Sequence, residues 1–223
     1  PPFKVDDDDR IADTLANPLN DPYAGKSRYW FGEVDENQTE LVDRLDFAAG
    51  TLSPFLEGNV QAYQCPNFGP ADVATLRYGK MATGFDYNTA LAPGTEWDWL
   101  PPDYLPSLRN RNFQNSISKV AETKRTIAFA ESAALDLYTF KLRENLGGLV
   151  PTSGNWPTVH FRHSDFANVC FVDGHVEAYP LKLGYEENEF NPPRSLMEFY
   201  RLGSVCDGSP EDSATRDALY DLD

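Results

Sequence analysis

The chain has 223 residues, and its 35 acidic side chains outnumber its 19 basic ones, which gives a formal net charge of −16 at neutral pH. A surface this acidic repels phosphate backbones, so the balance excludes nucleic acid as a partner. No apolar run approaches the roughly 20 residues that a membrane-spanning helix needs, so we expect no span in this chain.

The first 25 residues are polar and acidic, and we predict that they form an arm outside a single globular domain over residues 26–223. Such a segment is ordered only when something holds it, and we expect a neighbouring subunit to do so. The apolar anchors of this arm would be Phe3, Ile11, Leu15 and Tyr23. The alternative is that the arm folds back on its own domain.

Within the arm, a run of four carboxylates indicates a candidate site for a divalent cation. Calcium prefers oxygen ligands, and a bound cation relieves the self-repulsion of an acidic chain. The candidate ligands are Asp6, Asp7, Asp8 and Asp9, with Asp165 as a further candidate. The alternative is that the run is a solvated surface segment.

The next elements alternate between strand and helix patterns. Residues 27–34 and 60–65 have strand-like composition, and residues 39–47 carry apolar side chains at helical spacing. Residues 91–106 contain four prolines, which predicts an ordered irregular loop because proline removes a backbone donor. The aromatic side chains Trp97 and Trp99 in this loop could stack on sugars or pack internally.

Residues 125–131 predict a buried strand, and the following apolar segments predict a β-hairpin around Asp173-Gly174. A two-residue turn there requires positive φ at both central positions, which Asp and Gly tolerate. This turn places residue 169 opposite 178 and residue 171 opposite 176. The predicted apolar face then comprises Val169, Phe171, Val176 and Ala178. A last helix begins near Ser209, which would serve as its N-cap.

These elements predict an α+β fold that has an antiparallel sheet with the hairpin near its centre, short helices and long ordered loops. His160, His163 and His175 invite comparison with a metal site, but regular strands would place His163 and His175 about 30 Å apart at ~3.3 Å per residue. No catalytic motif accompanies them, so we expect no enzymatic activity. If the chain forms a disulfide, Cys65 and Cys206 are the more plausible pair.

The hairpin region resembles a known family. His163, nine further residues and then Asp173-Gly174 are similar to the motif of the prepilin-type, processing-associated His-x9-Asp-Gly family. Asn168 is also typical of it. Other segments typical of the family are Arg28-Tyr29-Trp30-Phe31-Gly32, Tyr63-Gln64-Cys65-Pro66, Thr126-Ile127-Ala128-Phe129-Ala130-Glu131-Ser132 and Phe171-Val172-Asp173-Gly174-His175-Val176-Glu177.

The resemblance implies a pilin-like globular head outside the cell or at the bacterial cell surface. It implies a structural subunit of a pilus-like or pseudopilus-like filament, with copies of itself as partners. Family members usually begin with a long apolar helix, and because this chain begins at Pro1 we expect that helix to lie upstream or to be replaced by another mode of assembly. Related pseudopilins bind calcium in an acidic loop that has no residue-by-residue match here.

The motif residues have predicted structural roles. Asp173 and Gly174 would form the turn, and His163 would hydrogen-bond a backbone carbonyl or a carboxylate near the end of its strand. A rival interpretation is an exported cell-surface binding module that recognises polysaccharide or protein through its aromatic loops.

Overall fold

The computed structural model describes residues 4–19, 23–113, 115–150, 156–184 and 192–220. The strands, in chain order, are β1 Lys4–Asp6, β2 Lys26–Tyr29, β3 Glu33–Asp35, β4 Leu45–Asp46, β5 Phe85–Tyr87, β6 Gly94–Trp99, β7 Pro106–Phe113, β8 Ile127–Glu131, β9 Ala134–Leu135, β10 Leu142–Arg143, β11 Val159–His160, β12 Phe166–Phe171, β13 Val176–Pro180 and β14 Leu202–Gly203. The α-helices are α1 Asp8–Ala16, α2 Arg194–Phe199 and α3 Ser213–Asp217. Short 3-10 helices cover Leu41–Asp43, Phe47–Ala49, Ser53–Phe55, Val60–Tyr63 and Ile117–Lys119.

Most of the regular structure is β-sheet, and the helices are few and short. This composition is compatible with the predicted α+β class and equally with a mainly-β class. Across the described residues, no helix is both long enough and apolar enough to cross a membrane.

The chain divides into two compact units, which differs from the predicted arm and single domain. The first unit contains Pro1–Ala62, Arg77–Ala82 and Ala92–Asn115. The second unit contains Tyr63–Leu76, Thr83–Leu91 and Ser116–Asp223.

The first unit is built on a six-stranded sheet with the order β4-β3-β2-β1-β6-β7. Strand β1 pairs antiparallel with β2 and parallel with β6. Gly94 lies opposite Lys4 with a φ of +86°, and a Cβ atom at this glycine would collide with the Lys4 carbonyl. The segment predicted as an arm therefore supplies an internal strand of its own sheet, as the fold-back alternative described.

The helix that follows β1 explains the acidic run. Asp7 caps α1 by accepting a hydrogen bond from the Arg10 backbone N–H, with an N–O distance of 2.8 Å. Asp8 and Asp9 occupy the first turn, where carboxylates interact favourably with the helix dipole. Acidic residues are thus used here as start signals for a helix.

Residues 91–106 differ most from their prediction, because they contain most of a hairpin instead of an irregular loop. Strand β6 pairs antiparallel with β7, with register shifts next to Glu96. Pro101 and Pro102 lie in the connection, and Pro106 is the first residue of β7, which is an edge strand. These are positions where a missing N–H disrupts no ladder.

Four other local predictions also change. The predicted strand over 27–34 is two strands, β2 and β3, joined by a turn. The predicted helix over 39–47 consists of 3-10 turns around β4, and the predicted strand over 60–65 is largely a 3-10 helix. The terminal helix is shorter than expected and begins after Asp212, whose side chain accepts from the Ala214 N–H.

The second unit is organised around an antiparallel sheet with the order β13-β12-β8-β5. The predicted strand over residues 125–131 is confirmed as β8. Short ladders join β9 to β10 and β11 to β14. The core of this unit consists of Ile127, Ala130, Leu149, Val159, Phe161, Ala167, Val169, Phe171, Val205, Leu219 and Tyr220.

The β12–β13 hairpin is present, but its predicted register is wrong by one residue. Cys170 lies opposite Val176, and the Phe171 N–H donates to the His175 carbonyl across a three-residue loop. Only Gly174 in this loop has positive φ, at +93°. A type I turn followed by a glycine in the left-handed region accounts for this geometry. The hairpin also lies at the edge of its sheet, not near the centre.

The shifted register changes which side chains are buried. Val169 and Phe171 are buried, as predicted, but Val176 and Ala178 are exposed. His175 and Tyr179 now share the face of Phe171, and the ring of His175 stacks on that of Phe171 with centroids 4.5 Å apart. One extra loop residue therefore exchanges the two faces of the outer strand.

Candidate functional site

Three side chains of metal-ligating type meet in the second unit. They belong to Cys65, Glu131 and His163, and their ligand atoms all lie within 4.8 Å of one another. This is the only such group of three or more His, Cys, Asp or Glu side chains in the described ranges. The residues come from three segments that are distant in sequence, so their meeting is a product of the fold.

Glu131 is the centre of this cluster. It ends β8 after an apolar run, and only 1% of its surface is exposed. Oε1 accepts from His163 Nε2 at 2.6 Å and from the Cys65 thiol at 3.3 Å, whereas Oε2 accepts from the Asn168 backbone N–H at 2.8 Å. Both oxygens are therefore hydrogen-bonded, which offsets the cost of burying a carboxylate.

His163 reaches Glu131 because the chain turns sharply before β12. The His163 and Phe166 backbones exchange hydrogen bonds, at 3.0 and 3.2 Å, across a two-residue turn. Ser164 and Asp165 have φ values of 56° and 66°, as a type I′ turn requires. The carboxylate of Asp165 forms an ion pair with Arg201, with an N–O distance of 2.7 Å.

Cys65 and Asn67 approach from a second turn. The Phe68 N–H donates to the Cys65 carbonyl at 3.0 Å, and Asn67 Nδ2 lies 3.3 Å from His163 Nδ1. Burial raises the pKa of the Cys65 thiol, and its hydrogen bond to Glu131 adds to this effect. The thiol is consequently a neutral donor in this arrangement. Because Gly84 has no Cβ, its backbone can pass close to Cys65.

The contacts of His163 exclude a relay of the nucleophile–base–acid kind. In such a relay, one imidazole nitrogen faces the nucleophile and the other faces the acid. Here Nε2 lies near both groups, 3.6 Å from Cys65 Sγ and 2.6 Å from Glu131 Oε1. With the Asn67 amide donating to Nδ1, the Nε2–H donates to Glu131. The geometry therefore favours a hydrogen-bonded clamp or a metal site over nucleophilic catalysis.

A second buried carboxylate, that of Asp86, is hydrogen-bonded to the residue that follows Glu131. Ser132 follows Glu131, and its hydroxyl donates to Asp86 Oδ2 at 3.1 Å while its carbonyl accepts from Arg162 Nη2 at 2.6 Å. Burial raises the pKa of Asp86 well above its ordinary value. The Arg162 guanidinium lies 4.2 Å from the centre of the Phe68 ring. Ser132 thus links Asp86 to Arg162 at the end of β8.

The other two histidines, for which the sequence predicted no joint metal site with His163, lie elsewhere. His160 is buried against Phe68, and burial together with Arg162 and Arg201 lowers its pKa to about 3. His175 is paired with Asp173, whose carboxylate accepts from the backbone N–H and from the ring of His175. The three histidines therefore form no joint site. The prediction assumed regular strands, whereas a sharp turn before β12 brings His163 to the Glu131 carboxylate.

The motif residues fall into two groups at the ends of β12. His163 and Asn168 contact Glu131 at the start of the strand, whereas Asp173 and Gly174 form the turn after its end. Glu131 and Cys65 were missing from the predicted site residues. A charged residue at the end of a strongly apolar strand pattern is the signal that identifies Glu131.

The proposed calcium ligands have separate partners. Asp6 contacts Lys4, Ser27 and Trp97. Asp7 caps α1, Asp8 pairs with Arg111, and Asp9 belongs to the first turn of α1. The structure brings no three of these acids together. Asp165, in the second unit, is paired with Arg201.

The predicted arm anchors also have partners within the first unit. Ile11 is buried in the described fold, and Leu15 is half exposed. The Tyr23 hydroxyl donates to the Pro18 carbonyl at 2.7 Å, and its ring lies 4.7 Å from the Arg10 guanidinium. Phe3 lies outside the described residues.

The three cysteines are free thiols, so the structure contains no Cys65–Cys206 bridge. Cys206 instead donates to the Gly208 carbonyl at 3.5 Å. Comparison with known proteins found no protein-family model, no curated protein and no solved structure that matches this chain significantly.

Proposed function

We propose that this chain is a structural, non-catalytic subunit of an extracellular pilus-like or pseudopilus-like filament that assembles from copies of itself. The observation that supports this most is that two residues of the resemblance motif donate to the buried Glu131 carboxylate, His163 through its ring and Asn168 through its backbone N–H. Hydrogen bonds that satisfy a buried carboxylate stabilise the fold, which fits a structural role for this part of the motif.

Assembly requires apolar surface, and the second unit has a candidate in the β9–β10 connection. Leu137, Tyr138 and Phe140 are exposed there, and Tyr138 is 96% exposed. Aromatic side chains are enriched at the centres of protein interfaces. We therefore place a subunit contact at this connection, since β1 of the N-terminal segment is already paired within its own sheet and Ile11 of α1 is buried.

The test is negative-stain microscopy and sedimentation of the purified chain. We expect filaments or defined oligomers from the unaltered protein and loss of assembly in the double variant Tyr138→Ser, Phe140→Ser. Phe55→Ser is a control, because Phe55 is also an exposed aromatic residue but belongs to the first unit. A chain that stays monomeric over a wide concentration range contradicts the proposal. Surface fractionation of the source cells tests the proposed location.

A second candidate is an exported cell-surface module that binds polysaccharide. It is favoured by the β6–β7 connection, where Trp99 and Tyr104 are exposed beside Leu100 and Leu105. Exposed aromatic rings can stack on sugar rings. Saturable binding of soluble polysaccharide by a stable monomer, lost in Trp99→Ala and Tyr104→Ala, would favour this candidate over the filament.

A further inference from the structure

We propose that Cys65, Glu131 and His163 bind one Zn²⁺ ion. This inference goes beyond the proposed filament function and does not depend on assembly. It rests on the type, spacing and support of the three side chains. Thiolate, imidazole and carboxylate are the ligands that zinc takes in proteins, whereas calcium requires six to eight oxygens.

The distances fit a tetrahedral ion after one small movement. Bonds of about 2.3 Å to sulfur and about 2.0–2.1 Å to nitrogen or oxygen place sulfur about 3.5 Å from the other ligand atoms, and nitrogen about 3.3 Å from oxygen. Cys65 Sγ lies 3.6 Å from His163 Nε2 and 3.3 Å from Glu131 Oε1. The Nε2–Oε1 distance, 2.6 Å, has to widen.

The side chain that can make this movement is His163. It belongs to a tight turn and its side chain is 30% exposed, whereas the side chain of Glu131 is 1% exposed and is held by the Asn168 N–H. A shift of the imidazole toward solvent opens the space between Nε2 and Oε1. The exposed side of His163 also leaves the fourth tetrahedral position accessible to water.

The neighbouring groups would orient the ligands. Asn168 occupies Glu131 Oε2 and so leaves Oε1 as the ligand oxygen. Asn67 faces His163 Nδ1 and, with its amide turned over, its oxygen accepts from an Nδ1–H, which leaves the Nε2 lone pair for the metal. A partner of this kind on the second nitrogen is a regular feature of ligating histidines.

The protons and charges balance. Zinc replaces the Cys65 thiol proton, which leaves to solvent, and the imidazole stays neutral as its proton moves from Nε2 to Nδ1. One proton is thus released per ion. The Cys65 thiolate and the Glu131 carboxylate together neutralise the two charges of the ion, so with the nearby Arg162 guanidinium the site carries one net positive charge when zinc is bound.

The experiment uses the full chain, treated with a chelator and then titrated with ZnCl₂ or CoCl₂. We expect one metal ion per chain by elemental analysis, and with cobalt a thiolate-to-metal charge-transfer band. Cys65→Ser and His163→Gln should each weaken binding at least about tenfold, and Asn67→Ala about tenfold, as expected for an orienting partner. Cys170→Ser and His175→Gln are matched controls that should bind like the unaltered chain.

Absence of bound zinc at stoichiometric protein and metal, or an unchanged cobalt spectrum in Cys65→Ser, would overturn the proposal. Circular dichroism of the metal-free variants establishes that they are folded. If Cys65→Ser fails to fold, His163→Gln provides the decisive measurement, because the side chain of His163 is part exposed. Filament formation is scored separately, so either proposal can fail without the other.

Discussion

Each unit contains a buried carboxylate that accepts from three donors, and the two acids differ in the nature of those donors. Asp6 in the first unit is 3% exposed, and Glu131 in the second is 1% exposed. Asp6 accepts from Ser27 Oγ at 2.6 Å, Lys4 Nζ at 3.0 Å and Trp97 Nε1 at 3.2 Å. Glu131 accepts instead from a thiol, an imidazole and a backbone N–H.

The difference shows that burial alone does not determine whether a carboxylate can take part in binding a metal ion. The charge of Asp6 is balanced within the fold, because Lys4 lies beside it on the same strand. Its other two partners, Ser27 and Trp97, are not side chains that commonly ligate metals. Two of the three donors to Glu131 could instead ligate a cation together with it. The first cluster is therefore complete as a structural ion pair, whereas the second can exchange one proton for a metal ion.

The largest expected effect is that of Glu131→Ala. This variant removes the acceptor of three buried or half-buried donors, and unsatisfied buried groups cost about 1–3 kcal/mol each. We expect the free energy of unfolding in urea to fall by about 3 kcal/mol. Glu177→Ala is the control, because Glu177 is exposed on β13. A loss equal to that of the control would show that the Glu131 cluster contributes nothing.

Asp6→Ala should have the next largest effect, about 2 kcal/mol, because it leaves the part-buried Lys4 ammonium without its carboxylate. Zinc should raise the melting temperature of this variant as it does that of the unaltered chain, since ligands stabilise only the state that binds them. The same addition of zinc should leave the melting temperature of Glu131→Ala unchanged. Equal responses of the two variants to zinc would remove the distinction between the clusters.

Asp6 also gives a pH dependence of defined sign. Burial raises its pKa, but Lys4 and the hydrogen bonds from Ser27 and Trp97 outweigh burial, and the net pKa is lowered. The stabilisation by Asp6 is therefore fully present above the unfolded pKa of about 3.9 and is lost as pH falls through the folded pKa. The stability difference between the unaltered chain and Asp6→Asn should shrink progressively as the pH falls below about 4.

Gly174→Val should destabilise the second unit by about 1–2 kcal/mol, because a β-branched residue is strained at a φ of +93°. A Cβ atom at this position meets no other atom, so the cost comes from the backbone alone. Gly174→Asn should cost less, since Asn tolerates the left-handed region. Urea unfolding of the two variants compares them directly, and equal losses would contradict this account of the turn.

The smallest effect is expected at Val176, which was predicted on the buried face. It is 61% exposed, so Val176→Thr should change the free energy of unfolding by less than about 0.5 kcal/mol. Val169→Thr is the matched variant on the buried face of β12 and should cost clearly more, because its hydroxyl would be buried. Similar losses at both positions would restore the predicted register.

The sequence predicted local elements better than their exact geometry. The β8 strand and the hairpin were predictable because their composition and the Asp-Gly turn signal are local. The register was not, because Asp173-Gly174 fits both a two-residue loop and a three-residue loop with glycine last. The β6–β7 hairpin was missed because proline was treated as a general strand breaker, although the start of an edge strand tolerates it.

The candidate site was predictable only in part. His163 and Asn168 belong to a motif visible in the sequence, and a carboxylate partner for His163 was among the expectations. The identity of that partner was not accessible, because Glu131 and Cys65 are separated by 66 residues and no spacing rule links them. Likewise, the sequence groups Asp6 with its acidic neighbours as a candidate cation ligand. Its actual partners Ser27 and Trp97 are supplied by the pairing of β1 with β2 and β6.

The long sequence separations around Glu131 have a consequence for folding kinetics. Its contacts with Cys65, His163 and Asn168 close chain segments of 66, 32 and 37 residues. Contacts between distant segments form only after the entropy of loop closure has been lost. We therefore expect the Glu131 cluster to form after the folding transition state, where interactions slow unfolding with little effect on the folding rate. This buried carboxylate would then determine the lifetime of the folded second unit.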